Sequence, residues 1–187
     1  MIAAAKELLP RSMLVNELFY GTGIPVSEAQ DAREQGRYRE ADAAYLAERG
    51  ISSIEDMKTL ALDVYCDSFC TSMFSTTLKS LYDDDVIAGY LRYFEFAATD
   101  TEPYALMVDT RPTVLLRDTV SYDLSSVKTD GVKGELVYIK VDVTVTNAEG
   151  KSQSRTIRVA MIEETEGWRF YELTGASYSS YFDRIEE

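Results

Sequence analysis

The stretch Leu136-Val137-Tyr138-Ile139-Lys140-Val141-Asp142-Val143-Thr144-Val145-Thr146 alternates apolar and polar residues along its whole length. Successive side chains of an extended chain point to opposite faces. Val137, Ile139, Val141, Val143 and Val145 therefore share one face, with Tyr138, Lys140, Asp142 and Thr144 on the other. That is the pattern of a half-buried antiparallel strand. Downstream, Asn147 to Gly150 supplies turn residues. Ile157, Val159 and Met161 then alternate with Thr156 and Arg158, and after a second turn ending at Gly167 the segment Trp168 to Thr174 reads as the last strand. Long strands joined by tight turns make a meander. They exceed the usual length of about five to six residues, and long strands twist. The expectation is a strongly curved antiparallel sheet whose hollow is filled by helices.

Working back from the ribbon, Tyr93 to Phe96 and Tyr104 to Val108 read as short strands, and Val114 to Val127 as one or two more. Before them the period is helical. Leu9, Met13, Leu14 and Leu18 form one stripe of a helix over Lys6 to Tyr20, with Pro10 near its first turn or at a kink; Gly21, Gly23 and Pro25 end it. Ser27 with Gln30 is a capping-box pair for a second helix, interrupted at Gly36, resumed by Tyr38, Ala41 and Tyr45, and stopped by Gly50. Ser52 with Glu55 opens the clearest helix, whose face carries Ile54, Met57, Ala61 and Val64. Asp67 is placed to cap a short helix bearing Phe69, Cys70, Met73 and Phe74. Helices followed by strands define an α+β fold. At 187 residues, with no linker or repeat, one domain is expected.

Composition excludes several functions. Nineteen basic residues against 32 acidic ones leave a net charge of −13. Nucleic-acid binding draws on Lys and Arg displacing counterions, so no nucleic-acid partner is expected, and an anionic membrane surface is disfavoured too. No apolar run is long enough for membrane insertion. Met1 to Ala5 lacks a basic n-region; the chain reads as cytoplasmic or as a mature form whose export signal has been removed, with the extracytoplasmic form preferred. Cys66 and Cys70 stand at i, i+4, and parallel Cβ directions suit a disulfide badly, so both read as small buried residues. The chain has no histidine, which rules out a Cys/His zinc site and a Ser-His pair. Asp83, Asp84 and Asp85 do not match the spacing of a calcium loop and read as a solvated turn. Gly21-Thr22-Gly23 lacks the third glycine of a dinucleotide fingerprint. No metal and no cofactor is expected.

The helix Ser52-Ser53-Ile54-Glu55-Asp56-Met57-Lys58-Thr59-Leu60, the short helix after it and the closing strand Gly167-Trp168-Arg169-Phe170 together resemble the NTF2-like superfamily. That resemblance implies an NTF2-like or cystatin-like cone over 51–178, a helical extension over 1–50 and a tail over 179–187. With no histidine, no metal set and no nucleophile motif, the expectation is a non-catalytic accessory module that binds a small molecule or a protein in that hollow. Tyr65, Tyr90, Tyr93, Trp168 and Phe170 are its candidate pocket lining, against the plainer reading of core and sheet packing. An enzyme of this kind would be an isomerase or lyase using a carboxylate base and tyrosine hydroxyls. No acid stands alone on an apolar face, and Asp142 reads as a cross-strand partner for a base such as Arg158. The layout is also similar to secreted inhibitors of cell-wall endopeptidases, although no inhibitory motif is present. Tyr178, Tyr181 and Phe182 in the tail are placed to close the hollow or to dock on a second subunit. Leu136, Tyr138, Ala160 and Ile162 interrupt the polarity of the outer sheet face, so a homodimer through that face is a further expectation.

Overall fold

The alternating ribbon forms β8 (Leu136–Thr146), and Ile139, Val141, Val143 and Val145 are all buried. The computed structural model describes residues 1–78, 82–83, 86–87, 91–111, 118–172 and 174, with only the backbone of 82–83 and 86–87. β8 pairs antiparallel with β7 (Thr119–Lys133) on one side and β9 (Ser152–Glu164) on the other, and β10 (Gly167–Phe170) adds to β9. The β7–β8 loop holds two residues, Gly134 and Glu135, between the paired Lys133 and Leu136. Gly134 has φ +62°, the backbone that so tight a hairpin turn requires. Beyond β8, the Asn147 carboxamide oxygen accepts the amides of Glu149 (3.0 Å) and Lys151 (2.9 Å) and shapes the next turn.

The apolar face of this sheet is covered by α1 (Ile2–Phe19), which touches β7 and β10 and buries Leu8, Leu9, Val15, Leu18 and Phe19. Pro10 lies inside α1 on its exposed side. α3 (Ile54–Leu62) packs on α1 and on α4 (Asp67–Thr77). Between these helices the chain runs beside β10: Phe170 N donates to Val64 O and Cys66 N to Phe170 O, each at 2.9 Å. Cys66 and Cys70 are buried free thiols.

A second sheet is formed by β1 (Glu34–Gln35), β2 (Tyr38–Glu40), β5 (Tyr93–Phe96) and β6 (Ala105–Asp109), in the order β1-β2-β6-β5. All of β6 is buried, as befits the centre of a sheet. β3 (Tyr82–Asp83) and β4 (Val86–Ile87) form a separate hairpin. The second sheet is fastened to the C-terminal end of α1. Tyr93 Oη donates to Leu18 O (2.6 Å), and the fully buried Arg92 guanidinium donates to Phe19 O (3.2 Å) and to Gly21 O. These carbonyls have no intrahelical donor, and the helix dipole favours a cation there.

The expected NTF2-like or cystatin-like cone is therefore wrong. The chain is α+β, but its main strands divide between two flat four-stranded antiparallel sheets, neither closed nor strongly curved. The reason lies in pairing. Both edges of β6 are taken by β2 and β5, so it has none left to continue into β7. The length of β7 is absorbed by two register shifts, between Asp123 and Lys128 and between Thr129 and Gly131, and β9 runs on past β10. Both family resemblances rested on one curved sheet around the helices and fall with it, as does the hollow assigned to ligand binding.

Local expectations shift as well. The helix expected from Ser27 is instead a hairpin, with Gln35 paired to Tyr38 around Gly36 (φ +60°) and β2 bonded to β6. Only α2 (Ala43–Arg49) is helical there, capped by Asp42, whose carboxylate accepts Tyr45 N (2.7 Å). The cap of α3 is Ser53, one residue later than expected; its hydroxyl accepts Asp56 N, while Ser52 donates to the Asp56 carboxylate. α4 has Cys66 at its N-cap and Asp67 in its first turn. The last strand stops at Phe170 rather than Thr174. Asp83 belongs to β3, and Asp84 and Asp85 lie outside the described residues. Among the described residues no helix is long and apolar enough to cross a membrane.

Candidate functional site

The aromatics expected to line one pocket are dispersed. Tyr65 and Phe170 meet in the core, ring centroids 6.1 Å apart. Tyr65 Oη donates to Asn16 Oδ1 (2.6 Å) and lies 3.0 Å from Thr174 Oγ1; Asn16 Nδ2 also donates to Thr174 Oγ1 (3.0 Å). All of this is buried, and burial pushes the Tyr65 hydroxyl well above the usual phenol range. Tyr93 belongs to the other sheet, on the end of α1. Trp168 lies on a surface cleft, and Tyr90, Tyr178, Tyr181 and Phe182 lie outside the described residues.

Burial also raises Tyr93 and the Cys70 thiol from their ordinary values, each to about 12. A raised folded value means that the unfolded chain gives up its proton first. Tyr93 thus contributes stability that is complete below about pH 10 and is lost as the pH climbs to about 12. Thermal unfolding followed from pH 9 upward is expected to show stability falling by about 1.4 kcal/mol per pH unit for each such group. Tyr93→Phe is expected to flatten that slope. A slope identical in the variant would show that the hydroxyl titrates freely.

Asp142 is exposed on the outer face of β8 and accepts Thr156 Oγ1 (2.5 Å) rather than pairing with Arg158. Arg158 bonds Asp130 (2.6 Å) and lies over the Tyr138 ring, 3.6 Å from its centroid. Lys140 joins the same carboxylate, and the two cations hold Asp130 below the usual carboxylate range. The aromatic that interrupts the outer face is thus already covered by an arginine of its own chain. Among the described residues, no group of three His, Cys, Asp or Glu side chains is arranged to hold a metal ion.

Among the described residues, two of the concave sites flank the helices. One, of about 390 Å³, lies between α1, the end of α3 and the β9–β10 turn, with Trp168 on its wall. Its guanidiniums are occupied: Arg11 bonds Asp63 (2.7 Å), and Arg169 Nε donates to Leu62 O (2.7 Å). The first contact joins α1 to the end of α3, and the second joins α3 to β10. The other, of about 530 Å³, is an open cleft between α3, α4 and β5.

The second cleft has a different chemistry. Ile54, Phe74 and Leu78 supply apolar surface, Thr71 and Ser75 hydroxyls, and Glu55, Glu95 and Lys58 the charge. Phe74 is anchored against Phe19, with centroids 5.8 Å apart, so this wall is continuous with the core. Lys58 Nζ bonds Glu55 Oε2 (3.2 Å) along α3. Glu95 reaches across from β5, and its Oε1 accepts Ile54 N (2.7 Å) at the start of α3 and Tyr104 Oη (3.1 Å). A carboxylate at a helix N-terminus is favoured by the dipole. Burial and the neighbouring Glu95 carboxylate keep the Tyr104 hydroxyl protonated well above its ordinary range. Glu95 is thus a fixed anion on an apolar cleft, and two carboxylates against one ammonium leave the rim negative. Nothing local in the sequence marks it, because Glu95 and Ile54 are 41 residues apart and meet only through strand–helix packing.

No protein-family model matches this chain, and neither does any curated protein sequence.

Proposed function

We propose that the protein works by binding rather than catalysis, receiving a basic, partly apolar segment of a partner polypeptide in the α3–α4–β5 cleft. The observation that carries this reading is the Glu95 carboxylate, fixed by Ile54 N and Tyr104 Oη beside Phe74 and Leu78. An aliphatic stem lies on such a floor while its cation meets the acidic rim. A net charge of −13 adds long-range attraction for a basic partner. A binding role is also supported by the absence of histidine and by tyrosine hydroxyls raised away from neutrality, which suits them poorly to proton transfer at pH 7.

A synthetic peptide of alternating leucine and arginine, titrated by calorimetry and by amide chemical shifts, tests this. The expected result is saturable binding with shifts concentrated at Ile54, Lys58, Thr71 and Ser75. Glu95→Gln keeps an Oε1 that can accept from both Ile54 N and Tyr104 Oη while removing the charge; it is expected to weaken binding about tenfold. Glutamate in place of arginine in the peptide is expected to abolish binding. Equal affinity for both peptides, or no effect of Glu95→Gln, rejects the reading.

A further inference from the structure

The chain has one tryptophan, and it stands at a surface cleft rather than deep in the core. Trp168 is half-buried on β10; its side chain packs against the core and also walls the cleft of about 390 Å³ beside α1. Arg169 Nη1 donates to the Trp168 carbonyl (3.1 Å), but among the described residues the indole N–H has no protein acceptor. A tryptophan sunk in a core pairs that N–H; here it is left for water or a ligand. Ala4 and Gly167 line the same cleft, so no bulky side chain from either fills the space beside the ring.

The charged groups of the cleft come as opposed pairs. Arg11 bonds Asp63 (2.7 Å) and stands 3.8 Å from Glu7, while Arg169 stands 3.8 Å from Glu166. Three carboxylates against two guanidiniums come close to balance, on a chain whose net charge is −13. An ion of either sign entering here meets a like charge beside each opposite one. The pairs offer hydrogen bonding instead. Arg11 Nη2 and Asp63 Oδ2 bond each other, and both side chains are partly exposed, so the rest of the fork and the second carboxylate oxygen form a donor–acceptor edge. A hydroxyl both donates and accepts, so neighbouring hydroxyls satisfy such an edge without bringing charge. A sugar ring whose hydroxyls are all equatorial also presents a face of C–H groups, which suits an indole wall.

We infer that this cleft binds a neutral saccharide with equatorial hydroxyls, its C–H face on Trp168 and its hydroxyls on the Arg11–Asp63 pair. The pair ties α1 to the end of α3, and Arg169 ties α3 to β10, so the groups are held in place before the ligand arrives. The inference uses a different cleft from that between α3, α4 and β5 and stands whether or not a basic peptide binds there.

The only tryptophan reports on its own site. Its emission in the whole protein, titrated with cellotriose, is expected to change saturably with half-saturation on the order of 1 mM, as for an open, wet site. Glycerol at equal hydroxyl concentration is expected to give no saturation. Asp63→Ala removes an acceptor at a partly exposed position, so thermal unfolding is expected to show a folded protein while affinity falls about tenfold. In the unsubstituted protein, amide chemical shifts are expected to move at Asp63, Gly167 and Trp168 and to stay still at Thr71 and Ser75. The inference is overturned if cellotriose and glycerol change the emission alike, or if those three amides do not respond to cellotriose. It is also overturned if choline saturates the signal where cellotriose does not, since the cleft would then select a cation.

Discussion

Arg92→Ala is expected to destabilise the protein by about 3–5 kcal/mol in urea unfolding, among the largest effects of any single truncation. The side chain is fully buried, so its loss leaves a void. It also strips two donors from the C-terminal end of α1, where Phe19 O and Gly21 O accept from the guanidinium. Lysine preserves the charge but not the fork that reaches two carbonyls, and Arg92→Lys is expected to lose about half as much. The loop is shaped around this cation. Gly23 has φ +80°, and a Cβ there would stand 2.6 Å from Arg92 Nη2 and from Tyr93 Oη. Gly23→Ala should cost about 2–4 kcal/mol through strain and clash together. Because truncating Arg92 removes part of the clash, the double variant is expected to lose less than the sum. Strict additivity would show that the two residues do not share a site.

Thr174→Val, nearly equal in volume, is expected to cost about 2–3 kcal/mol. Thr174 Oγ1 accepts from Asn16 Nδ2 (3.0 Å), donates to Ser12 Oγ (2.9 Å) and lies 3.0 Å from Tyr65 Oη, all buried. Valine orphans the Asn16 amide inside the core, and an unmet buried donor costs more than a made hydrogen bond contributes. Adding Asn16→Leu and Tyr65→Phe removes both the amide and the hydroxyl that would otherwise be left unmet, so the triple variant should recover part of the loss. Equal destabilisation by the single and triple variants would place the effect in packing alone. The cluster matters to the fold because it returns the chain after β10 to α1, joining residues 158 positions apart.

Part of this architecture was legible before any coordinates. The alternation over Leu136–Thr146 and Ile157–Met161 is a two-state signal, since a slip of one residue would expose every valine of the ribbon. Its buried face follows directly. The helices bearing Met57, Ala61, Cys70 and Met73 were legible for the same reason, a long run of one period. Gly36 was legible only as a breaker. Whether it interrupts a helix or turns a hairpin depends on whether Tyr38–Glu40 finds a strand to pair with, and that strand, β6, lies more than sixty residues on.

By itself, then, the sequence determined an acidic α+β chain, the inward face of its valine-rich meander and the absence of histidine chemistry. Tertiary structure alone decided that the strands part into two sheets, that Arg92 seals the end of α1, and that Glu95 stands fixed on an apolar cleft. The physical reason is range. Periodicity is written between near neighbours, whereas strand partners and buried polar contacts are chosen by whichever distant backbone groups and side chains remain unmet when the layers close.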